Sequence, residues 1–282
     1  MIKVAIQGQQ ASFHDIAAKR FFASDIKTIN CDLPFRLVFD ALDRHEADYA
    51  VVAIENSLYG SINEVYDLLL ESKAKIIGEV YLQISQCLIG FPGTKISDIK
   101  EVHSHPVALS QCETYLDTSL AHSERFEHHD TAGSVADIKQ WGDPSRAAIA
   151  SRAAAQLHGM AVLDENIETN KQNYTRFVVL QTNALAVSAA DKTSLVLTTP
   201  ADTKPGALHR ALGAFADRSL NLLMLQSRPI IGKAWHYMFY LDIAAGQDDE
   251  QFIAAISELQ SQGCQVQLLG SYKNAQNTPI KA

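Results

Sequence analysis

The chain has 282 residues, 47% of them hydrophobic, with 32 acidic and 24 basic side chains and a formal net charge of −8. That is enough for about two domains with ordinary buried cores. The charge balance, with no basic stripe, argues against nucleic acid as a partner, and no apolar run approaches the roughly 20 residues that span a bilayer.

Ile2 to Gln7 reads as a first strand, without the longer apolar stretch and cleavage site of a signal peptide. A turn through Gly8 leads to a helix that Ser12 can cap, with Asp15 supporting its first turn. A second helix follows Ile26–Cys31, with Pro34 near its start and Phe35, Val38, Phe39 and Leu42 on one face. Tyr49 to Ile54 reads as a buried strand bounded by Glu55-Asn56-Ser57. Ser61-Ile62-Asn63-Glu64 has the form of a capping box. Lys75 to Gly90 is extended. Ser104-His105-Pro106 opens another helix with Ser104 as cap or just outside it, and Asp130-Thr131 caps the next. Ala147–Ala150 is a strand, Ser151 starts an Ala-rich helix that Gly159 ends, and Met160–Leu163 is a strand. The alternation argues for α/β lobes with largely parallel sheets.

Residues 183–192 are small and polar and read as a linker. Then the rhythm changes. Strands at Thr193–Thr199, Leu220–Ser227, Trp235–Ile243 and Gln265–Gly270 interleave with helices at Gly206–Arg218 and Asp249–Ser261. This βαββαβ order is that of a ferredoxin-like module.

Several polar clusters fall at element ends. Glu55-Asn56-Ser57 closes a buried strand, where α/β sheets bind ligands; a turn satisfying its own backbone has the same pattern. Ser104 and Gln111 can share one side of a helix, and Asp130-Thr131-Ala132 has the same ambiguity between cap and site. Asn173-Tyr174-Thr175-Arg176-Phe177 sets a hydroxyl beside a guanidinium whose planar fork suits a carboxylate. A surface Arg at a strand start has the same pattern. The pairs His103/His105 and His128/His129 lack partners at metal-ligand spacing, so no metal is expected. Cys31, Cys87, Cys112 and Cys264 form no CxxC pair, so the expectation is a reducing cytoplasm with neither disulfides nor a zinc site. Gly8 lacks the further glycines of a nucleotide fingerprint.

In order, Ile54-Glu55-Asn56-Ser57 with Gly60, Ser104-His105-Pro106 with Gln111-Cys112, Asp130-Thr131-Ala132, Asn173–Phe177, Gly206-Ala207-Leu208 and Ser227-Arg228-Pro229 resemble a prephenate dehydratase with a C-terminal ACT domain. The resemblance implies an α/β fold: a two-lobed, periplasmic-binding-protein-like catalytic region plus the ferredoxin-like ACT domain. The corresponding boundaries are 1–182 (second lobe about 84–158), linker 183–192, ACT domain 193–272 and tail 273–282. No chorismate mutase segment precedes Met1, so the monofunctional form is expected.

The implied reaction turns prephenate into phenylpyruvate, water and CO2 without a cofactor. The implied catalytic residues are Thr175, Glu55, Asn56, Ser104 and Gln111, with Ser57, Thr131, Arg176, Phe177 and Ser12 binding substrate. L-Phenylalanine would inhibit at Gly206, Ala207, Leu208, Asn221, Ser227 and Arg228. A homodimer or homotetramer is expected, with no nucleic acid or membrane partner. Arogenate dehydratase and a non-catalytic amino-acid sensor are the alternatives. The chain departs from the family at its first motif, roughly Gly-Pro-x-Gly-Thr/Ala-Phe/Tyr-Ser. Here it reads Gly8-Gln9-Gln10-Ala11-Ser12-Phe13-His14, and Ala11 fits only if its φ need not be positive. Gln226 stands where the ACT pattern has Glu.

Overall fold

The computed structural model describes all residues except 24, 183, 185, 186, 201–204 and 277. Part of the expected linker and the expected helix approach at Lys204 therefore lie outside the described residues. The chain folds into two compact units. One comprises Met1–Tyr66, Val80–Val179 and Thr278–Ala282; the other comprises Asp67–Glu79 and Leu180–Asn277.

The first elements are β1 (Ile2–Gln7), α1 (Phe13–Phe22), β2 (Ile26–Cys31), α2 (Arg36–Asp43), β3 (Tyr49–Asn56), β4 (Gly60–Ser61), α3 (Asn63–Glu71), β5 (Lys75–Gln83) and β6 (Cys87–Gly90). They are followed by β7 (Glu101–Ser104), α4 (Pro106–Gln111), α5 (Glu113–Ser119), β8 (Glu124–Glu127), α6 (Thr131–Trp141), β9 (Arg146–Ala150), α7 (Arg152–His158), β10 (Ala161–Glu165) and β11 (Tyr174–Gln181). The remainder is β12 (Lys192–Thr198), α8 (Ala207–Ala216), β13 (Leu222–Pro229), β14 (Tyr237–Ile243), α9 (Glu250–Ser261), β15 (Gln265–Tyr272) and β16 (Ile280–Lys281).

One sheet has the order β16-β5-β11-β3-β1-β2, with β4 paired to β3. Its β1–β2 and β1–β3 pairs are parallel. A second sheet has the order β10-β6-β9-β7-β8. It is mixed rather than largely parallel, because β6 runs antiparallel to both β9 and β10. It extends through Glu165, past the expected lobe end at 158. The expected tail is structured: Ile280 and Lys281 pair with Leu82 and Gln83 of β5.

Helix starts follow the local rule that free amides take a nearby side-chain acceptor. Ser12 accepts from Asp15 N, Asp130 from Gly133 N and Ser151 from Ala154 N. Ser104 falls just outside its helix, as one of the two expected placements has it, whereas the capping box expected at Ser61 fails. Ser104 ends β7, and the cap of α4 is His105, whose Nδ1 accepts from Val107 N. Ser61 lies in β4, and α3 begins at Asn63.

In the second unit β12, α8, β13, β14, α9 and β15 realise the expected βαββαβ order, with an antiparallel sheet β13-β14-β12-β15. Leu195, Leu197, Leu241 and Ile243 bury against Phe215, Phe252 and Leu259 of the helices. Each such side chain contributes about 1.5–3 kcal/mol. Lys192, expected to end a linker, instead opens β12 fully buried. Its ammonium lies 2.9 Å from Glu79 and 3.4 Å from Asp242.

Candidate active site

The end of β3 lies beside the start of β11, where Ser57 N donates to Tyr174 O. That juxtaposition brings Asn56 to Thr175 and Asn173. Asn56 Oδ1 accepts from Leu58 N and Tyr59 N, which fixes the amide orientation. Asn56 Nδ2 then donates to Asn173 Oδ1 at 2.8 Å and to Thr175 Oγ1 at 2.9 Å. Thr175 Oγ1 is the acceptor in that bond, so its own hydrogen is free to point elsewhere.

Thr175 and Asn56 line a cleft of about 360 Å³ within the first unit, together with Ser12, His14, Gln86, Gln111, Thr131 and Phe177. The volume is in the usual range for small-molecule sites. The N-termini of α1 and α6 meet it through Ser12, Asp130 and Thr131. Among the described lining residues none is Lys or Arg. The N-termini of α1 and α6 and the neutral donors of the lining offer attraction for an anion.

Other expected residues lie elsewhere. Arg176 is buried but alternates with Thr175 and Phe177 along β11, so it occupies the opposite face. Its guanidinium carbon is 6.0 Å from the ring centre of Tyr81 in β5. Arg176 is not among the cleft-lining residues. Ser104 is fully buried and its hydroxyl donates to Ile149 O at 2.6 Å. Glu55 is half-buried and pairs with Ser61 of β4. Ser57 is exposed; its hydroxyl donates to Gln172 O and accepts from Tyr174 N. Ser104, Glu55 and Ser57 are not among the cleft-lining residues.

Three features were not anticipated. Gln86 lines the cleft nearly fully buried, and its Nε2 donates to Gln111 Oε1 at 3.2 Å. Among the described residues its Oε1 has no hydrogen-bond partner, and neither has Asn173 Nδ2. Buried polar atoms left unpaired call for an explanation, and a ligand site is one. His14 is buried at the cleft wall, edge-on to Phe177 with ring centres 5.0 Å apart. Its Nε2 accepts from Ala53 N at 3.1 Å. Burial holds its pKa down at about 3, so the ring is neutral. Burial likewise lowers His105, partly opposed by Asp130. Ala11 has φ +66, so it takes the left-handed region despite its Cβ, and the condition under which Ala fits this motif is not met. The strained turn is held by Ala11 N donating to Asp15 Oδ2 and Ser151 Oγ donating to Ala11 O.

The sequence model of the prephenate dehydratase family matches residues 4–185, and that of the ACT domain matches residues 197–260. The chain belongs to the prephenate dehydratase family. The bifunctional chorismate mutase/prephenate dehydratase of Aquifex aeolicus is 34% identical over 97% of this chain and 74% of its own. Arogenate dehydratase 2 of Petunia hybrida is 36% identical over 96% of this chain and 71% of its own. A solved prephenate dehydratase from Arthrobacter aurescens, in complex with L-Phe, superposes with a TM-score of 0.87 at 30% identity, covering 99% of this chain and 92% of that one. A structure described as GqqA, a novel type of quorum quenching acylase, superposes with a TM-score of 0.86 at 28% identity, covering 98% and 99%.

In the ACT unit of this family member, Gly206 caps α8 with φ +86, and Ala207 and Leu208 form its first turn. Ser227 and Arg228 lie on β13, just after Asn221. Arg228 is ion-paired with Asp67 at 2.5 Å. A separate hollow of about 420 Å³, lined by residues including Trp235 and Tyr237, contains none of these six.

Proposed function

We propose that the cleft converts prephenate to phenylpyruvate, water and CO2, in the service of L-phenylalanine biosynthesis. The observation that carries this reading is the Asn56–Thr175 bond, which turns the Thr175 hydroxyl into an oriented donor. The substrate already holds its leaving carboxylate and hydroxyl, and aromatisation drives their loss. The C–C pair released with CO2 enters the ring as the C–O bond breaks. A donor at the departing oxygen gains strength as negative charge grows there. Thr175 supplies that hydrogen bond, and a proton ultimately drawn from solvent completes the water. Gln111, Gln86, Ser12 and Thr131 hold the substrate's oxygens with the N-termini of α1 and α6. Ser57 ties the end of β3 to Gln172 and Tyr174, and Ser104 holds the Ile149 carbonyl. No cofactor takes part. Phenylpyruvate formed from prephenate by the purified chain tests the proposal; none formed would overturn it.

A second reading keeps the chemistry and changes the substrate to arogenate. The unpartnered Gln86 Oε1 favours it, because a buried acceptor suits the ammonium that arogenate carries in place of the keto group. Comparing kcat/KM for the two substrates decides between them.

The ACT unit is proposed to bind L-phenylalanine through Gly206, Ala207, Leu208, Asn221, Ser227 and Arg228. The L-Phe complex of the Arthrobacter aurescens relative supports this. Calorimetric titration with L-phenylalanine, followed by turnover in its presence, tests it. The boundaries 1–182 and 193–272 and a homodimer or homotetramer belong to the same reading; sedimentation velocity tests the assembly. The four cysteines are free and buried, which suits the reducing cytoplasm proposed for this enzyme. Among the described residues no helix is long and apolar enough to cross a membrane.

A further inference from the structure

We propose that His14 is a substrate-positioning residue, held as the neutral Nδ1–H tautomer so that it donates a hydrogen bond to a substrate oxygen in the cleft. The tautomer follows from geometry. The Ala53 amide can only donate, and it meets Nε2 at 3.1 Å, so Nε2 carries the lone pair and Nδ1 carries the hydrogen. Among the described residues no acceptor meets Nδ1, and the side chain lines the cleft. The ring cannot swing away. Phe177 stands edge-on at 5.0 Å and Phe35 at 5.8 Å, and α1 anchors the backbone. The imidazole is thus the same kind of device as Thr175: a fixed amide donor on one side leaves one hydrogen directed to the ligand on the other. With a pKa of about 3, the imidazole does so unchanged across neutral pH.

The inference rests on the dehydratase reading, and the test separates the two. The kinetics of prephenate turnover are compared for the full chain, His14→Gln and His14→Asn, together with their melting temperatures. The Gln oxygen reaches the place of Nε2 and keeps the Ala53 bond but loses the donor. The Asn amide reaches the place of Nδ1 and keeps the donor but loses the Ala53 bond. The expected result is a KM about 5- to 10-fold higher in His14→Gln, the worth of one neutral hydrogen bond. In His14→Asn, KM should lie at least about threefold below that of His14→Gln. Stability should rank the other way, with His14→Gln the more stable. The KM ratio of His14→Gln to wild type should stay flat between about pH 6 and 9.

KM that follows melting temperature, or a ratio that titrates near neutrality, would overturn the inference while leaving the dehydratase reading intact. No turnover by the wild-type chain would sink both. If His14→Gln does not fold, imidazole nitrogen spectra of the labelled wild-type chain decide instead: a protonated Nδ1 supports the inference and a protonated Nε2 overturns it.

Discussion

The Asn56 amide stands 2.9 Å from the Thr175 hydroxyl oxygen, across 119 residues of sequence, and can only donate to it. The relationship gives each residue a separate task. Thr175→Ala removes the directed hydrogen and should lower kcat by about 10²–10⁴-fold, with the urea midpoint little changed. Asn56→Ala also strands Asn173 Oδ1 and the Leu58 and Tyr59 amides. It should cost about 1–3 kcal/mol of stability besides activity. In the double variant the losses in kcat should fall well short of additive, since both changes act on one hydrogen.

His14 should leave a mark on acid stability. Its native pKa is about 3 and its unfolded value is near 6.5. Between those values the unfolded chain binds a proton that the native chain does not, so stability rises with pH. It is fully present above about pH 7 and is lost as pH falls toward 3, at up to about 1.4 kcal/mol per pH unit from this group. His14→Asn should flatten the slope of urea-unfolding free energy against pH between about 6 and 4 by this one group's contribution. An unchanged slope would refute the assignment.

Ala11 sits at φ +66, a region that costs a residue with a Cβ about 1–2 kcal/mol. Ala11→Gly relieves that strain but gives up a buried methyl worth about 0.8 kcal/mol and adds backbone entropy to the unfolded chain. The net change should be under about 1 kcal/mol. Ala11→Val, branched at Cβ in the same region and packed in the core, should lose about 2 kcal/mol or more. Thermal melts of both variants check the contrast.

Lys192, Glu79 and Asp242 form a fully buried charge cluster in the ACT unit, extended by Ser194 Oγ donating to Asp242 Oδ1. Lys192→Met leaves two carboxylates without their cation and should destabilise by about 3–5 kcal/mol. Adding Glu79→Leu should recover part of that loss, which chemical denaturation of the double variant would show.

Much of this architecture is legible in the sequence, because its signals are local. Ser12, Asp130 and Ser151 cap helices through amides three residues away, and strand and helix periods mark the βαββαβ module. The site is only partly legible. Asn56, Thr175, Gln111, Ser12, Thr131 and Phe177 do meet at one cleft. Arg176 does not, because alternation along β11 turns it to the face opposite Thr175. Ser104 lies at a helix start, but its hydroxyl is taken by Ile149 O, from a strand 45 residues away. Gln86 carries a faint signal, a carboxamide inside an apolar run. The unmet valence of its Oε1 depends on three-dimensional neighbours. His14 interrupts a family motif, yet its tautomer is set by an amide 39 residues distant.

The most direct measurement is phenylpyruvate formation from prephenate by the purified chain and by Thr175→Ala at matched folded concentration. Steady turnover by the chain is expected, with a loss of about 10²-fold or more in the variant, which still melts cooperatively near the wild-type temperature. Equal turnover by the two proteins, or none by the wild type, would contradict this expectation.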